Sequence, residues 1–472
     1  TASTLPWVTN PYNDGVAATS SQIARGISVS NSDNISILNN TISNALGEGI
    51  YLQDIGTNKN NLVQGNTVQG MKVDVNDSNL EAGIFLANNK PGYITINSNT
   101  VKDNNPTNEG NGRTNASDGI EVNICRDGAN AMNYVGLATV SGAPCSQATT
   151  LTANITNNTI TNLRTAADGI DANVGTNGNL VLTATGNTID KVGDEAITFD
   201  SFGANSNATL YIANNTLKTT GDKIGSTDGI AITLHEYNAL GRDSNGNDAN
   251  PSAAYTANSN YKITIKDNII AANTENLNND VGAEGIKFKI AQGLPSGSVN
   301  LDLVVSNNNI TVTHGDGFEI DANEDAGAPV IFKGDITFSN NTITALATSS
   351  ADARDLISSR VADNAAASTA QISYSVLGNT LISAAGASDA IDLRSDSTNA
   401  SSNIQFKIDG NNLANAFDKD LKLRVANGGF FGIVAPQGTT NFASYLNSIN
   451  TNAVTAITGT PTQINSLTNF VE

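Results

Sequence analysis

Two cysteines, two histidines, two methionines and one tryptophan are spread over 472 residues. So few histidines and cysteines rule out a metal cluster built on those ligands, and at most one disulfide can form. Charge is sparse as well, with Asp, Glu, Lys and Arg at 14% against 39% hydrophobic residues. That balance sets the chain apart from charge-driven disordered sequences. Lys and Arg number 24 against 44 Asp and Glu, a net charge of −20. A surface of that sign repels phosphate backbones and anionic headgroups, so no nucleic-acid partner is expected. No apolar run reaches the roughly 18 residues of a membrane-spanning helix. Thr1 to Asn10 lack the basic and apolar regions of a signal peptide, so the expectation is a mature chain or a segment of a larger one.

What the sequence has is a repeat. Asn-Thr-aliphatic and its variants recur with the Asn at Asn40, Asn66, Asn99, Asn158, Asn187, Asn215, Asn268, Asn308, Asn341, Asn379 and Asn411. Two positions on stands an aliphatic residue, as at Ile42, Ile160 and Leu217. Before each Asn lies an alternating segment such as Tyr93-Ile94-Thr95-Ile96, the period-two mark of a strand with one buried face. A second register interleaves with the first as Gly/Ala-aliphatic-x-aliphatic: Gly26-Ile27, Gly49-Ile50, Gly119-Ile120, Gly169-Ile170 and Gly285-Ile286 among others. The tightest unit, Gly26 to Gly49, spans 23 residues, a sensible perimeter for one coil of a three-sided solenoid. The expected role of the Asn is twofold. It would take the left-handed backbone conformation at a bend, and its amide would bond coil to coil as a ladder at about 4.8 Å spacing.

Stretches such as "GISVSNSDNISILNNTISNALGEGIYL" resemble the right-handed parallel β-helix superfamily, which includes pectate lyases, periplasmic β-helix repeat proteins, tailspikes and autotransporter passengers. The resemblance covers about residues 20–425. It implies an all-β chain: one three-sheet parallel β-helix of about 11–12 coils with an Asn ladder and capped ends. The expected organisation is an N-terminal cap over 1–25, the β-helix over 26–425, and a C-terminal cap over 426–472. In that last segment Phe442, Tyr445, Leu446 and Ile449 fall at the spacing of a short amphipathic helix. Caps matter because bare solenoid ends invite pairing between chains; the other reading is end-to-end self-association.

Individuality lies in the loops. Two connections of 39 residues separate the Gly-led strand from the Asn turn, Gly119 to Asn158 and Gly229 to Asn268. They place long loops at 125–150 and 235–260, either walls of a groove or tolerated decoration. Cys125 and Cys145 flank the first loop and read as a disulfide, hence an oxidising compartment; two free thiols are the alternative. Between the loops, alternation turns Glu121, Asn123, Asp171, Asn173, Asp200, Lys287 and Lys289 outward. Glu121, Asp171 and Asp200 are read as one acidic stripe and as candidate catalytic or binding groups. In pectate-lyase-like enzymes the corresponding face holds the substrate, with carboxylates that bind Ca²⁺ and a base that abstracts a sugar proton; hydrolases of the fold use clustered Asp residues. The "GHG" and "RIK" patterns of polygalacturonases are missing. His235-Glu236 faintly resembles the "HE" of epimerases without the Asp-Pro before it, so His235 is a candidate base or else a solvated loop residue.

A further carboxylate precedes the Gly-led strand at Glu48, Asp118, Asp168, Glu195, Asp228, Glu284, Asp316, Asp355 and Asp389. The favoured reading is backbone capping at the strand start; the other is a row that recruits Ca²⁺. No cofactor is required by any pattern in the chain, and Ca²⁺ is the one cation these carboxylates suggest. The expected function is therefore a secreted or surface-displayed β-helix for adhesion, binding or extracellular assembly, with a glycan or cell-surface ligand. The alternative is a polysaccharide lyase, epimerase or glycoside hydrolase. Ice binding is disfavoured, because the repeated Thr is expected just past a bend rather than on a Thr-x-Thr strand.

Overall fold

The computed structural model describes residues 25–471 except 46–47, 71–80, 104–116, 126–144, 164–166, 202, 220–227, 236–255, 273–282, 292–295, 314, 323–329, 347–354, 363–367, 384–388, 415–419 and 427–428. Most of the 125–150 and 235–260 loops and nearly all of the 1–25 segment lie outside these residues.

The strands coil into three parallel sheets of 13, 13 and 11 strands, and each strand pairs with its equivalents in the coils before and after. Sheet A holds the Gly-led strands, such as Ile170–Val174. Sheet B holds the alternating strands that precede the Asn, such as Gly178–Thr185. Sheet C holds the short strands after it, such as Thr159–Thr161. The alternating pattern does what period two dictates: Leu180, Leu182 and Ala184 point inward, and the residues between them face out. The aliphatics of all three sheets merge into one core running the length of the solenoid. Each fully buried Ile, such as Ile160 or Ile189, contributes roughly 1.5–3 kcal/mol.

The asparagines form the expected ladder. Asn158 donates its backbone N–H and its Nδ2 to Oδ1 of Asn187, at 2.9 and 3.0 Å, and Nδ2 also donates to the Ile96 carbonyl at 2.9 Å. The same bonds run from Asn40 to Asn411, so buried amides are satisfied by the next coil. The left-handed residue, however, is the one before the ladder Asn. Asn39, Asn157, Asn214, Asn307 and Asn340 have φ between 55° and 57°, and Gly65, Gly186, Gly378 and Gly410 take the same corner. The work is thus split between neighbours, one bending the chain and the next bonding along the axis. The Thr after the ladder Asn stands just past the bend, as expected, but on a strand. It begins the sheet C strand, in register from Thr41 and Thr67 through Thr100, Thr159, Thr188 and Thr216, facing outward.

The glycine that opens each sheet A strand is there for room. A Cβ on Gly169 would sit 2.5 Å from the Ala196 carbonyl oxygen and 2.6 Å from Ile189 Cγ2, closer than any side chain tolerates. At the C-terminal end the sheets continue beyond residue 425: Phe430–Val434 and Thr462–Ile464 extend sheet B, and Thr455–Thr458 extends sheet A. The helix Phe442–Ile449 is capped by Asn441, whose side chain accepts the Ser444 N–H, and Leu446 is its buried residue.

Candidate functional site on sheet A

Register aligns the outer face of sheet A into three columns. The first runs Asp118, Asp168, Glu195, Asp228, Glu284, Asp316, Asp355, Asp389, two residues before the first paired position of each strand. The second runs Tyr51, Phe85, Glu121, Asp171, Thr198, Ala231, Lys287, Glu319, Ser358, Asp392 and Lys422. The third runs Asn123, Asn173, Asp200, Thr233, Lys289, Asp321, Arg360, Arg394 and Arg424. Asp200 therefore stacks on Asn173, not on Asp171. The single stripe expected of Glu121, Asp171 and Asp200 is a stacked pair plus a carboxylate two residues over, because an intervening Thr198 takes the pair's next rung.

These side chains point away from the core, yet they are not solvated. Glu121 is 0% exposed, Asn123 and Asn173 3%, and Asp171 7%. Each carboxylate is held by the Asn two residues on: Asn123 Nδ2 donates to Glu121 Oε1 and Asn173 Nδ2 to Asp171 Oδ2, both at 2.7 Å. Alternation puts residues i and i+2 on one face, so the Glu-x-Asn and Asp-x-Asn spacing builds this pair locally.

In the first column the carboxylates cap backbone. Asp118 Oδ1 accepts the Asp168 N–H at 2.8 Å, and Asp168 Oδ1 the Glu195 N–H at 3.0 Å. Asp228 and Asp355 do the same for Glu284 and Asp389, at 2.8 and 2.9 Å. This ladder runs opposite to the Asn ladder, since here the later coil donates. Acids of this column also meet acids beside it. One ligand oxygen each from Asp118, Glu121 and Asp171 lies within 4.8 Å of the others, and so do those of Asp168, Asp194 and Glu195. Burial, then mutual repulsion, pushes the carboxyls of Asp118, Asp168 and Glu195 well above the usual range.

Further along, cations enter. Lys287 Nζ lies 3.2 Å from Glu284 and 3.1 Å from Glu319. Burial alone would lower the Lys287 pKa, but Glu284, Asp228 and Glu319 outweigh it and raise the value. Lys422 bridges Asp389 and Asp392 at 2.9 and 3.2 Å. Lys289 pairs in register with Thr233 and Asp321 in the third column. Lys287 and Lys422 thus sit among acids of their own and adjacent coils, three or more rungs from Asp171.

His235 is neither solvated nor on this face. It ends the sheet A strand at φ 58°, fully buried, with Nε2 2.9 Å from Tyr261 Oη; Ser201 Oγ lies 2.8 Å from the same hydroxyl. Burial pulls the imidazole down to about 3 and pushes the Tyr261 hydroxyl up to about 12. A histidine that stays neutral inside the core does not serve as a base for an outside substrate. Cys125 and Cys145 form a disulfide.

Sequence reasoning took Asp118, Asp168 and Glu195 first as capping groups, with a Ca²⁺-recruiting row as the other reading, and passed over Asp194. The signal was available in the doubled carboxylate of "GDEA", 193–196. It also passed over the stacked rings of Tyr51 and Phe85, 5.4 Å apart, with the Arg25 guanidinium 3.6 Å above Tyr51. They occupy the rungs just before Glu121.

Residues 10–131 match the family model described as "Right handed beta helix region". No curated protein and no solved structure matches the chain. The match speaks to the coil and not to a pectate-lyase-like subtype. Together with the three parallel sheets wound coil upon coil, this match to residues 10–131 identifies the architecture as a right-handed parallel β-helix.

Proposed function

We propose that this protein is an extracellular or cell-surface solenoid that works by binding a glycan or another surface ligand. The observation that carries the reading is where access lies. The carboxylates fit for chemistry, Asp118, Glu121 and Asp171, are 4%, 0% and 7% exposed. Sheet B instead offers a broad outer face of regular polar rows. Asn260 donates to Asn207 Oδ1 through its N–H at 2.9 Å, Asn300 Nδ2 donates to Asn260 Oδ1 at 2.9 Å, and Lys266 lies 5.4 Å above the Tyr211 ring. Flat polar rows with an aromatic ring suit a sugar polymer. The disulfide supports an oxidising compartment. A glycan array tests the proposal: binding lost in Tyr211→Ala and kept in Glu121→Gln is expected, and the reverse pattern would overturn it.

The buried triad supports Ca²⁺ as a structural partner of the coils. Asp118, Glu121 and Asp171 offer hard oxygen donors from adjacent coils, the donor type Ca²⁺ takes. A rise in melting temperature with added Ca²⁺, absent in Asp171→Asn, is the expected result; equal melting with Ca²⁺ and with chelator would remove the cation from the account.

One observation favours enzymatic use as a second reading. Raised carboxyls at Asp118, Asp168 and Glu195 stand beside Glu121 and Asp171, and glycosidic cleavage uses a raised carboxyl as its acid with a second carboxyl group close by. New reducing ends or unsaturated products released from a glycan panel, and abolished in Glu121→Gln, would make this the better reading.

A further inference from the structure

The last residues of the chain turn back over the solenoid. After the strand Thr462–Ile464 the tail crosses the outer face of sheet B. The Thr468 N–H donates to Gln405 Oε1 at 2.8 Å, and Gln405 Nε2 donates to Thr468 Oγ1 at 3.0 Å. Two residues on, Asp335 gathers the backbone. The Phe470 N–H lies 3.1 and 3.0 Å from its two oxygens, and the Val471 N–H donates to Oδ2 at 2.9 Å. Ser373 Oγ, in the coil between, donates to Asp335 Oδ1 at 2.8 Å.

The partners on the sheet are in one column. Asp335, Ser373, Gln405, Gly432 and Thr462 stand in direct register. The tail therefore runs perpendicular to the strands and against the direction in which the coils accumulate. From Thr462–Ile464 to the strand of Asp335 is about 19 Å at the spacing of parallel strands. The six residues from Ile464 to Phe470 reach about 20 Å when extended, so the tail has almost no slack. Gly432 leaves room at the point of departure, since a Cβ there would meet Ile464 Cδ1 at 2.9 Å and Gln405 Cγ at 3.3 Å.

We propose that residues 465–471 are a latch: Asp335 holds the tail across the last strands of sheet B and keeps the C-terminal end of the solenoid closed. The elements it secures are the outermost ones, the helix Phe442–Ile449 and the strands Thr455–Thr458 and Thr462–Ile464. In a solenoid each coil is supported only by its neighbours, so the terminal pieces open first. Opening there uncovers strand edges that pair with other chains. The proposal is independent of the binding reading above, because the residues that hold the tail, Gln405 and Asp335, are neither Tyr211 nor the sheet A carboxylates.

Hydrogen exchange on the full chain tests it, with Asp335→Ala beside Gln405→Ala and a control, Asp302→Ala, which removes the carboxylate one coil earlier in the same column. In Asp335→Ala the Phe470 and Val471 amides are expected to exchange at least roughly tenfold faster, the loss of hydrogen bonds to a charged group. Peptides covering 442–464 should follow, with a smaller rise in Gln405→Ala and none in Asp302→Ala, while peptides covering 207–213 keep wild-type rates. The latch is overturned if the tail amides are released and 442–464 stays protected. A uniform rise along the whole chain, or a tail already unprotected in the wild type, also overturns it.

Discussion

Asn411 is tied to Asn450 by both of its donors, the backbone N–H at 3.0 Å and Nδ2 at 2.9 Å. Asn450 belongs to no repeat. It is the C-terminal cap residue of the helix Phe442–Ile449, where its Nδ2 also donates to the Leu446 carbonyl at 3.0 Å. The ladder thus ends on a residue that presents the same Oδ1 the next coil would have offered, and the last orphan donors of the row are satisfied by the cap.

A ladder rung in the middle is expected to be worth more than one at the end. In Asn215→Ala the Asn187 N–H and the Ala184 carbonyl lose this partner in the buried interior, and Asn187 Nδ2 keeps only the Ile155 carbonyl. The expected cost is about 3 kcal/mol, against about 1 kcal/mol for Asn40→Ala at the partly exposed first rung. Urea midpoints of the two variants compare them directly, and equal shifts would refute the ladder's cooperative role.

His235 gives stability a pH dependence of known sign. Its folded pKa is near 3, below the unfolded value of 6.5. Its contribution is therefore fully present above pH 6.5 and is lost as pH falls toward 3, on the order of 3–5 kcal/mol in all. The raised carboxyls of sheet A act in the opposite sense, so the difference from a variant isolates the histidine. His235→Asn suits the left-handed backbone and does not titrate. It should show a shallower loss of stability between pH 6.5 and 3, measured by denaturant unfolding at several pH values.

Lys287 neutralises two carboxylates on a largely buried face, with side-chain exposures of 17%, 10% and 8% for Lys287, Glu284 and Glu319. Lys287→Met leaves both uncompensated, which is expected to cost about 3–5 kcal/mol. Adding Glu284→Gln and Glu319→Gln should recover most of the loss. A single substitution that leaves the melting temperature unchanged would show that the ion pairs contribute nothing net.

Asp355 is raised to about 6, by burial first and then by Asp392 and Asp389. Since the folded pKa exceeds the unfolded 3.8, ionisation disfavours the fold at neutral pH and the penalty fades below about pH 4. Asp355→Asn keeps an acceptor for the Asp389 N–H and removes the charge. It should stabilise the protein by about 1–2 kcal/mol at pH 8 and not at all at pH 4, read from thermal melts at both pH values.

The coil was legible because it is written locally and many times. Alternation gave the strands of sheet B, the recurring Asn gave the ladder, and the Gly-led segments gave sheet A. Finer assignments failed where one residue type serves two purposes. Asn is favoured both in left-handed bends and as a buried hydrogen-bonding amide, so composition could not say that Asn157 bends the chain and Asn158 bonds it. Glycine likewise reads as a turn former, although Gly169 is required by the Ala196 carbonyl in the next coil.

The candidate site was half visible. The residues of the outer face were named correctly strand by strand, but connections of unequal length hide which residue stacks on which. That is why Asp200 was grouped with Asp171 rather than with Asn173. Exposure was misjudged for the same reason, since period two separates core from outer face and says nothing of what covers that face. His235 went furthest astray, because its partner Tyr261 is 26 residues away in sequence, and Ser201, bonded to the same hydroxyl, is 60 residues from Tyr261.

By itself, then, the sequence determined a parallel β-helix: periodic burial and one bonding amide per coil leave little else for such a chain to do. Tertiary structure alone decided which carboxylates meet, which lysines neutralise them, that Asn450 closes the ladder and that Asp335 holds the tail. Those contacts depend on the stacking of coils separated by loops of different lengths, and no local pattern carries that distance.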